Sequence, residues 1–506
     1  MGERIRIDVH LHDARDGQLL TAERLVLDQP AQILTQVDVL SLKLRTYLTG
    51  AEPAGDQAVL SGSMTSNLEA YRYYSLGVER AQAVRNEEAL AFLQKAVALD
   101  PDFAMAHARI GYVYGVAGNS NDKAKPYLEK AFQLTNRLTD KDKLQITAWY
   151  AIVNFDYAAA IDAFRRIIAV DPREMEAYRR LGLLLKGEDQ FAEALEVLKQ
   201  GLIMDPGAKD LYNALGSVYS EMGRHDDAIA MSQRYVQLGP EEPNAHDSLG
   251  MSYEWAGRYS EAAEEYQKAL ALKPDFEVAI IHLGNTYFQQ GRYREAIAQY
   301  QRYIRFAPSE LEPPRGYNSI ACVERSRGNL AAAERAMKSA TKYDQKTVDQ
   351  SIVIALQKND LATARKLRET LETSFGSDRG YRGSRRYLPY FRGLFDLKEG
   401  RQAEAIQNFK QALSHRPPIF NIDAYEDCLA NGYLAQGDAA NAINEYQRIL
   451  KLNANYPLVH YHLAQAYERA NQPNQAREAY ERFLQVWKTA DADIPEVIAA
   501  KKALGQ

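Results

Sequence analysis

Residues 243–276 read PNAHDSLGMSYEWAGRYSEAAEEYQKALALKPDF, and the fold is decided in this stretch. His246, Leu249, Gly250 and Tyr253 recur at helical spacing and share one stripe of a first helix. Gly257 then breaks the helix, because glycine enters the left-handed backbone region without steric cost. Tyr259, Ala262, Ala263, Tyr266 and Ala269 make the stripe of a second helix, and Pro274 blocks its propagation. The unit is therefore two antiparallel helices and a short turn. Gly250 and Ala262 are expected to be small because the two helix axes come close there.

The unit repeats. Ala89, Ala124, Ala160, Ala194, Ala228, Ala262, Ala296, Ala333, Ala364, Ala405, Ala442 and Ala476 follow at steps of 35, 36, 34, 34, 34, 34, 37, 31, 41, 37 and 34 residues. Leu181-Gly182, Leu215-Gly216, Leu249-Gly250 and Leu283-Gly284 keep a step of 34, as do Pro206, Pro240, Pro274 and Pro308. One such hairpin cannot bury both faces, so neighbours must stack into a solenoid. The period overrides the several-domain expectation that 506 residues would otherwise raise.

These residues closely resemble the tetratricopeptide repeat family, a 34-residue helix pair with an aromatic, Leu-Gly, Tyr, Ala, aromatic, Ala and Pro in order. The unit near Lys209 carries Tyr212, Leu215-Gly216, Tyr219, Ala228 and Pro240, and departs from the pattern at Ser232 and Tyr235. The next but one carries Ile280, Leu283-Gly284, Tyr287, Ala296, Tyr300, Tyr303 and Pro308. The resemblance implies an all-α, right-handed superhelical solenoid of about twelve helix-turn-helix repeats over residues 70–490. Its most regular part should run from Met175 to Glu310. Altered packing is expected around Asp122, Pro313, Lys346 and Gly380, where the alanine step departs from 34. Residues 491–506 are expected to form a capping helix that shields Tyr480 and Phe483.

Residues 1–50 do not keep the beat. Ile5, Ile7, Val9 and Leu11 alternate as in a half-buried strand, and Leu20, Ala22, Leu25 and Leu27 supply a second one. Asp28 with Pro30 opens a helix that Gly50 ends, and a small-residue linker follows over 51–69. This ββα piece resembles the end of the small α/β domain that precedes such arrays in bacterial transmembrane regulators, serine/threonine kinases and cyclases. Its alternating strand would leave an unpaired edge. Residues 1–50 are therefore expected to pair with a second copy or with a domain upstream of Met1.

A formal charge of −5 argues against a general nucleic-acid binder, which would carry a basic excess. Cys322 and Cys428, the only two cysteines, leave no disulfide framework and no zinc ribbon. No 18-residue apolar run and no signal peptide is read, so a soluble, cytoplasmic chain is expected. The nine histidines are scattered, and Gly376 to Gly383 lacks the lysine and strand context of a phosphate loop. No catalytic residue, metal or cofactor is therefore expected. Glu264-Glu265 and Asp226-Asp227 read as exposed, solubilising pairs.

In the resembled family the first helix of each unit lines a concave groove that holds partner segments. This implies a partner-binding face carrying Arg179, Asn213, Asp247, Trp255, His282, Asn285 and Asn318. Arg180, Ser217, Arg315, Asp349, Tyr390, Asp427, Asn431 and His462 share it. Asparagine amides suit gripping of a peptide backbone. The bland alternative is a set of solvated helix faces. The lysine, asparagine and arginine clamp of chaperone-binding members is not matched, since Arg315 and Ser319 follow Asn285 where a basic pair is required.

The 41-residue step holds SFGSDRGYRGSRRYLPYFRG, residues 374–393, read as an irregular connector. Arg382, Arg385 and Arg386 interleave there with aromatic residues, a combination that can hold an acidic partner segment. The reading that follows is a scaffold or adaptor that takes a protein or peptide in its groove. Its alternative is the sensory part of a bacterial signalling protein, a transcription regulator or serine/threonine kinase, without the output domain.

Overall fold

A computed structural model describes residues 5–13, 16–28, 64–82, 85–117, 120–306, 313–345, 347–376, 382–414, 425–456 and 458–506, with isolated positions between 33 and 47. The chain divides into two compact units, Met1–Leu184 and Leu185–Gln506. Among the described residues, twenty-five α-helices follow a two-stranded sheet; the first twenty-four succeed one another as twelve pairs, and Pro495–Ala503 is the last. The chain is an all-α repeat solenoid.

All twelve phased alanines are at most 3% exposed. Each sits where the helices of a pair cross, and a larger side chain would force them apart. The glycine on the facing helix has a different neighbour from the one expected. A Cβ at Gly250 would lie 2.7 Å from the Tyr266 ring, and one at Gly284 would lie 2.6 Å from the Tyr300 ring. The aromatic one turn beyond the alanine, not the alanine itself, fills the space above glycine. Where Ser232 replaces that aromatic beneath Gly216, its hydroxyl lies 2.8 Å from that of Ser252 on the next unit. Gly250→Leu is expected to cost about 1–3 kcal/mol by overpacking Tyr266, read as a lower denaturant midpoint. Arg258→Leu, at a half-exposed turn site, should move it far less.

In Met1–Leu184 the strands β1 (Ile5–His12) and β2 (Leu19–Leu27) pair antiparallel, with Ile5 opposite Leu27 and Val9 opposite Glu23. Leu25 and Leu27 are buried on one face. Most of the helix expected after Asp28, and most of the linker expected over 51–69, lie outside the described residues. Two of the helical positions described there touch the hairpin. Leu40 is buried, Lys43 Nζ lies 3.1 Å from Glu23, and Tyr47 donates to the Leu20 carbonyl at 2.6 Å. Just before the helix containing Asp122, residues Tyr112–Ala117 form a π-helical turn.

Within Leu185–Gln506 the array folds back on itself. One hydrophobic cluster contains Tyr266, Ile280, Tyr293 and Tyr300 together with Tyr446, Leu463, Phe483, Trp487 and Val497. The join is made turn against turn. Asn453 Nδ2 donates to Tyr259 Oη at 3.1 Å, and Asn455 Nδ2 donates to the Gly257 carbonyl at 3.0 Å. Trp487 Nε1 donates to the Gln289 carbonyl at 2.9 Å, and Asp491 N donates to the Gly291 carbonyl at 3.0 Å. Arg294 reaches Asp493 at 2.9 Å. These partners stand 194 to 200 residues apart, just under six repeats of 34.

Gly257 and Gly291 allow this contact for two reasons. Both hold positive φ, +72° and +71°, at the hairpin turn. Each also lacks the Cβ that would otherwise strike Asn453 or Trp487. The last helix buries Val497 and Ala500 in the same cluster as Tyr480 and Phe483. Helices over 330–398 hold smaller clusters of their own, built around Met337 and Ile354, and around Ile352, Phe391 and Phe395.

Candidate functional site

Consecutive first helices lie side by side, and their polar residues bridge from one unit to the next. Lys186 Nζ lies 2.6 Å from Glu221, His282 Nδ1 lies 3.0 Å from Asp247, and Gln289 Nε2 donates to Glu254 at 2.7 Å. All three pairs are separated by 35 residues, one repeat plus one position. Asn318 Nδ2 donates to Asp349 at 3.0 Å. On the face where partner contacts were expected, these polar groups form a ladder bonded from repeat to repeat.

Of the candidate residues, Asp247 and His282 are brought into direct contact and Asp247 is only 3% exposed. Asn285, one turn beyond His282, accepts from Tyr300 Oη at 3.0 Å through its carbonyl oxygen. Asn318 is held by Asp349. Asn213 is half-buried on helix Lys209–Glu221, and Trp255 is half-buried at the end of helix Pro243–Trp255. In the other unit, Arg179 is engaged with Glu176 on its own helix at 2.7 Å.

The insertion is not an irregular connector throughout. Arg382–Lys398 is a helix, and Arg382, Arg385 and Arg386 occupy its first turns. Their side chains, like Arg379, Tyr381 and the Pro417-Pro418 break, lie outside the described residues. Further along that helix, Arg392 Nε lies 3.3 Å from Glu372. Of the pair Glu264-Glu265, expected to be exposed, only Glu264 is. Glu265 is 8% exposed and bonded to His246 at 2.7 Å and Lys268 at 2.7 Å, because it faces the neighbouring first helix.

Glu254 is the buried acid that sequence reading passed over. Tyr266 Oη donates to it at 2.6 Å and Gln289 at 2.7 Å, yet no cation neutralises it by direct contact among the described residues. Burial pushes its carboxyl up to about 7. Burial alone would lower His282, but the Asp247 carboxylate, together with Glu254, more than offsets this and holds the imidazole above its ordinary value. The signal that would have found these pairs is polar residues at i and i+35 on successive first helices. Among the described residues no group of three metal-ligating side chains converges, and no helix is long and apolar enough to cross a membrane.

Residues 185–250, 256–312 and 433–501 match a family model described as Tetratricopeptide repeat, and residues 147–209 match a second model with the same description. The chain is 28% identical over 116 residues to the Photosystem I assembly protein Ycf3 of Prochlorococcus marinus (strain MIT 9303), covering 22% of this chain and 67% of that one. Among solved structures it is similar to the human IFIT1 dimer with PPP-AAAA, at 17% identity and a TM-score of 0.41 over 85% of this chain and 93% of that one. It is also similar to YrrB, titled a TPR protein with an unusual peptide-binding site, at 19% identity and a TM-score of 0.29 over 40% of this chain and all of that one.

Proposed function

We propose that this chain, a tetratricopeptide-repeat protein, is an interaction scaffold that holds a segment of a protein partner against its first-helix face. What supports the reading is the repeat array itself, whose first helices between Lys186 and Asp349 carry polar residues bonded from one repeat to the next. The name of the relative Ycf3, an assembly protein, supports a role in bringing proteins together.

The ladder narrows which residues meet the partner. Asp247 and His282 shape the face by holding each other. Asn285 is better suited to contact, because Tyr300 occupies its oxygen and leaves the amide N–H groups as donors for a partner carbonyl. Asn213 offers a second amide, and Trp255 an apolar anchor of the kind that carries much interface energy. Arg382, Arg385 and Arg386, grouped on the first turns of one helix, supply positive charge for an acidic stretch of the partner.

The partner is first captured with the full chain by cross-linking and affinity purification. Trp255→Ala is then expected to weaken its binding by about 2 kcal/mol, the scale of an interface hot spot, in titration calorimetry. The triple change of Arg382, Arg385 and Arg386 to alanine should weaken binding more in low salt than in high salt, since exposed charges are screened. Unchanged affinity for both variants at every salt concentration would remove the site assignment.

A further inference from the structure

Inside Leu185–Gln506 lies a cavity of about 260 Å³, lined by Tyr293, Tyr390, Phe409, Trp487 and aliphatic side chains and also by Asp427. Asp427 is 5% exposed. It precedes helix Cys428–Gln436 in the N-cap position, where an aspartate ordinarily accepts from the first-turn N–H groups, but its side chain makes no capping bond. No hydrogen bond from any described residue reaches its carboxylate, and His462 Nδ1 stands 3.7 Å away.

The equivalent pair five hairpin units earlier, in the ladder's best-formed part, shows what a satisfied version looks like. There Asp247 and His282, also 35 residues apart, are bonded at 3.0 Å. In both places a tyrosine ring packs on the histidine, Tyr266 on His282 at 5.5 Å and Tyr446 on His462 at 6.1 Å. The local frame is therefore shared, but among the described residues Asp427 takes no hydrogen bond from its histidine, which stays 3.7 Å away, or from any other side chain. A buried carboxylate without one costs several kcal/mol unless a cation or donor arrives.

We propose that this cavity binds an organic ammonium group on a compact apolar stem, with Asp427 as counter-ion and the surrounding rings as its cage. Aromatic faces attract cations through their quadrupoles, and more strongly once water is excluded. Arg325 also lines the cavity, but its guanidinium is engaged with Gln350 at 3.0 Å and with the Cys322 sulfur at 3.7 Å. The volume sets the size of the stem. An apolar cavity of about 150 Å³ accepts benzene, so this one has room for a single ring and a short chain. The ammonium can arrive on a free amine or on a lysine side chain.

Phenethylammonium chloride, titrated into the full chain by calorimetry, tests the site. It is expected to bind at least tenfold more tightly than 2-phenylethanol or phenylacetate, which share its ring. Asp427→Asn should weaken it at least tenfold while leaving the circular dichroism spectrum unchanged. Val353→Phe, which fills the cavity from another of its lining residues, should abolish binding and keeps the test open if the first variant does not fold. Displacement of the amine by acetyl-Gly-Lys-Gly-amide at similar concentration would assign the source to a polypeptide, and no displacement would assign it to a free amine; either supports the site. No binding, equal affinity for the alcohol, or full affinity in Asp427→Asn would overturn it.

Discussion

Gly291→Ala is expected to destabilise the protein by about 2–4 kcal/mol more than Gly223→Ala, on the scale set by loss of a large buried aromatic. The two glycines hold nearly the same backbone conformation, φ +71° and +73°, so each variant carries the same left-handed cost of about 1–2 kcal/mol. Their surroundings differ. A Cβ at Gly223 would meet nothing within 4 Å, whereas one at Gly291 would stand 2.7 Å from Ala490 Cβ and 2.8 Å from the Trp487 ring. Trp487 is 3% exposed and its Nε1 donates to the Gln289 carbonyl, so it has no room to yield. The clash is relieved by undocking the last repeats from the central ones. Urea unfolding of both variants reads the energy, and small-angle scattering should show a larger radius of gyration for Gly291→Ala alone. Equal midpoints and equal radii would mean that the fold-back does not hold the array together.

Glu254→Gln is expected to stabilise the protein by ~3 kcal/mol near pH 8 and by almost nothing near pH 5. The figure follows from a carboxyl pushed to about 7 from an ordinary 4.5, at 1.36 kcal/mol per unit. A raised folded-state value means that the folded chain holds the proton more tightly than the unfolded one. The contribution of Glu254 is complete below pH 4.5, falls as pH rises between the two values, and stays low above about 7. His282 acts in the same sense. Its raised value lends stability below its ordinary 6.5 that is lost as pH climbs through the folded-state value. Tyr266, Asp247 and Gln289 surround these groups from the adjoining helices, and burial holds the Tyr266 phenol well above its ordinary range, so it stays neutral here. Glutamine keeps the shape and both hydrogen-bonding positions while removing the charge. Denaturant midpoints of the two chains should therefore diverge between pH 5 and pH 7.5, and parallel curves would show that Glu254 does not ionise in this range.

The helix pairs were legible because their causes are local. A glycine or asparagine at the turn, an alanine at the crossing and a proline after the second helix act within one unit, so a period of 34 residues reports them directly. Alternation likewise reports β1 and β2, whose partner is a few residues away. The ladder was only half legible. Asp247, His282 and Asn318 stood out as polar residues on a shared face, but their bonds run to the next unit at an offset of one repeat plus one residue or nearby. Glu254, Glu265 and Gln289 gave no sign of burial, since a charged or amide residue on an amphipathic helix ordinarily faces water.

The sequence by itself determined the unit, its number and the small residues that let its helices touch. Tertiary structure alone decided that the second compact unit folds back, that Gly257 and Gly291 are spaces for another turn of the array, and that Asp427 borders a cavity. The physical reason is accumulation. Each repeat sets a small rotation relative to its neighbour, and that rotation is felt only by nearest neighbours. Five of them must add before Trp487 meets Gly291, 196 residues earlier in the chain, and no short-range pattern records the total.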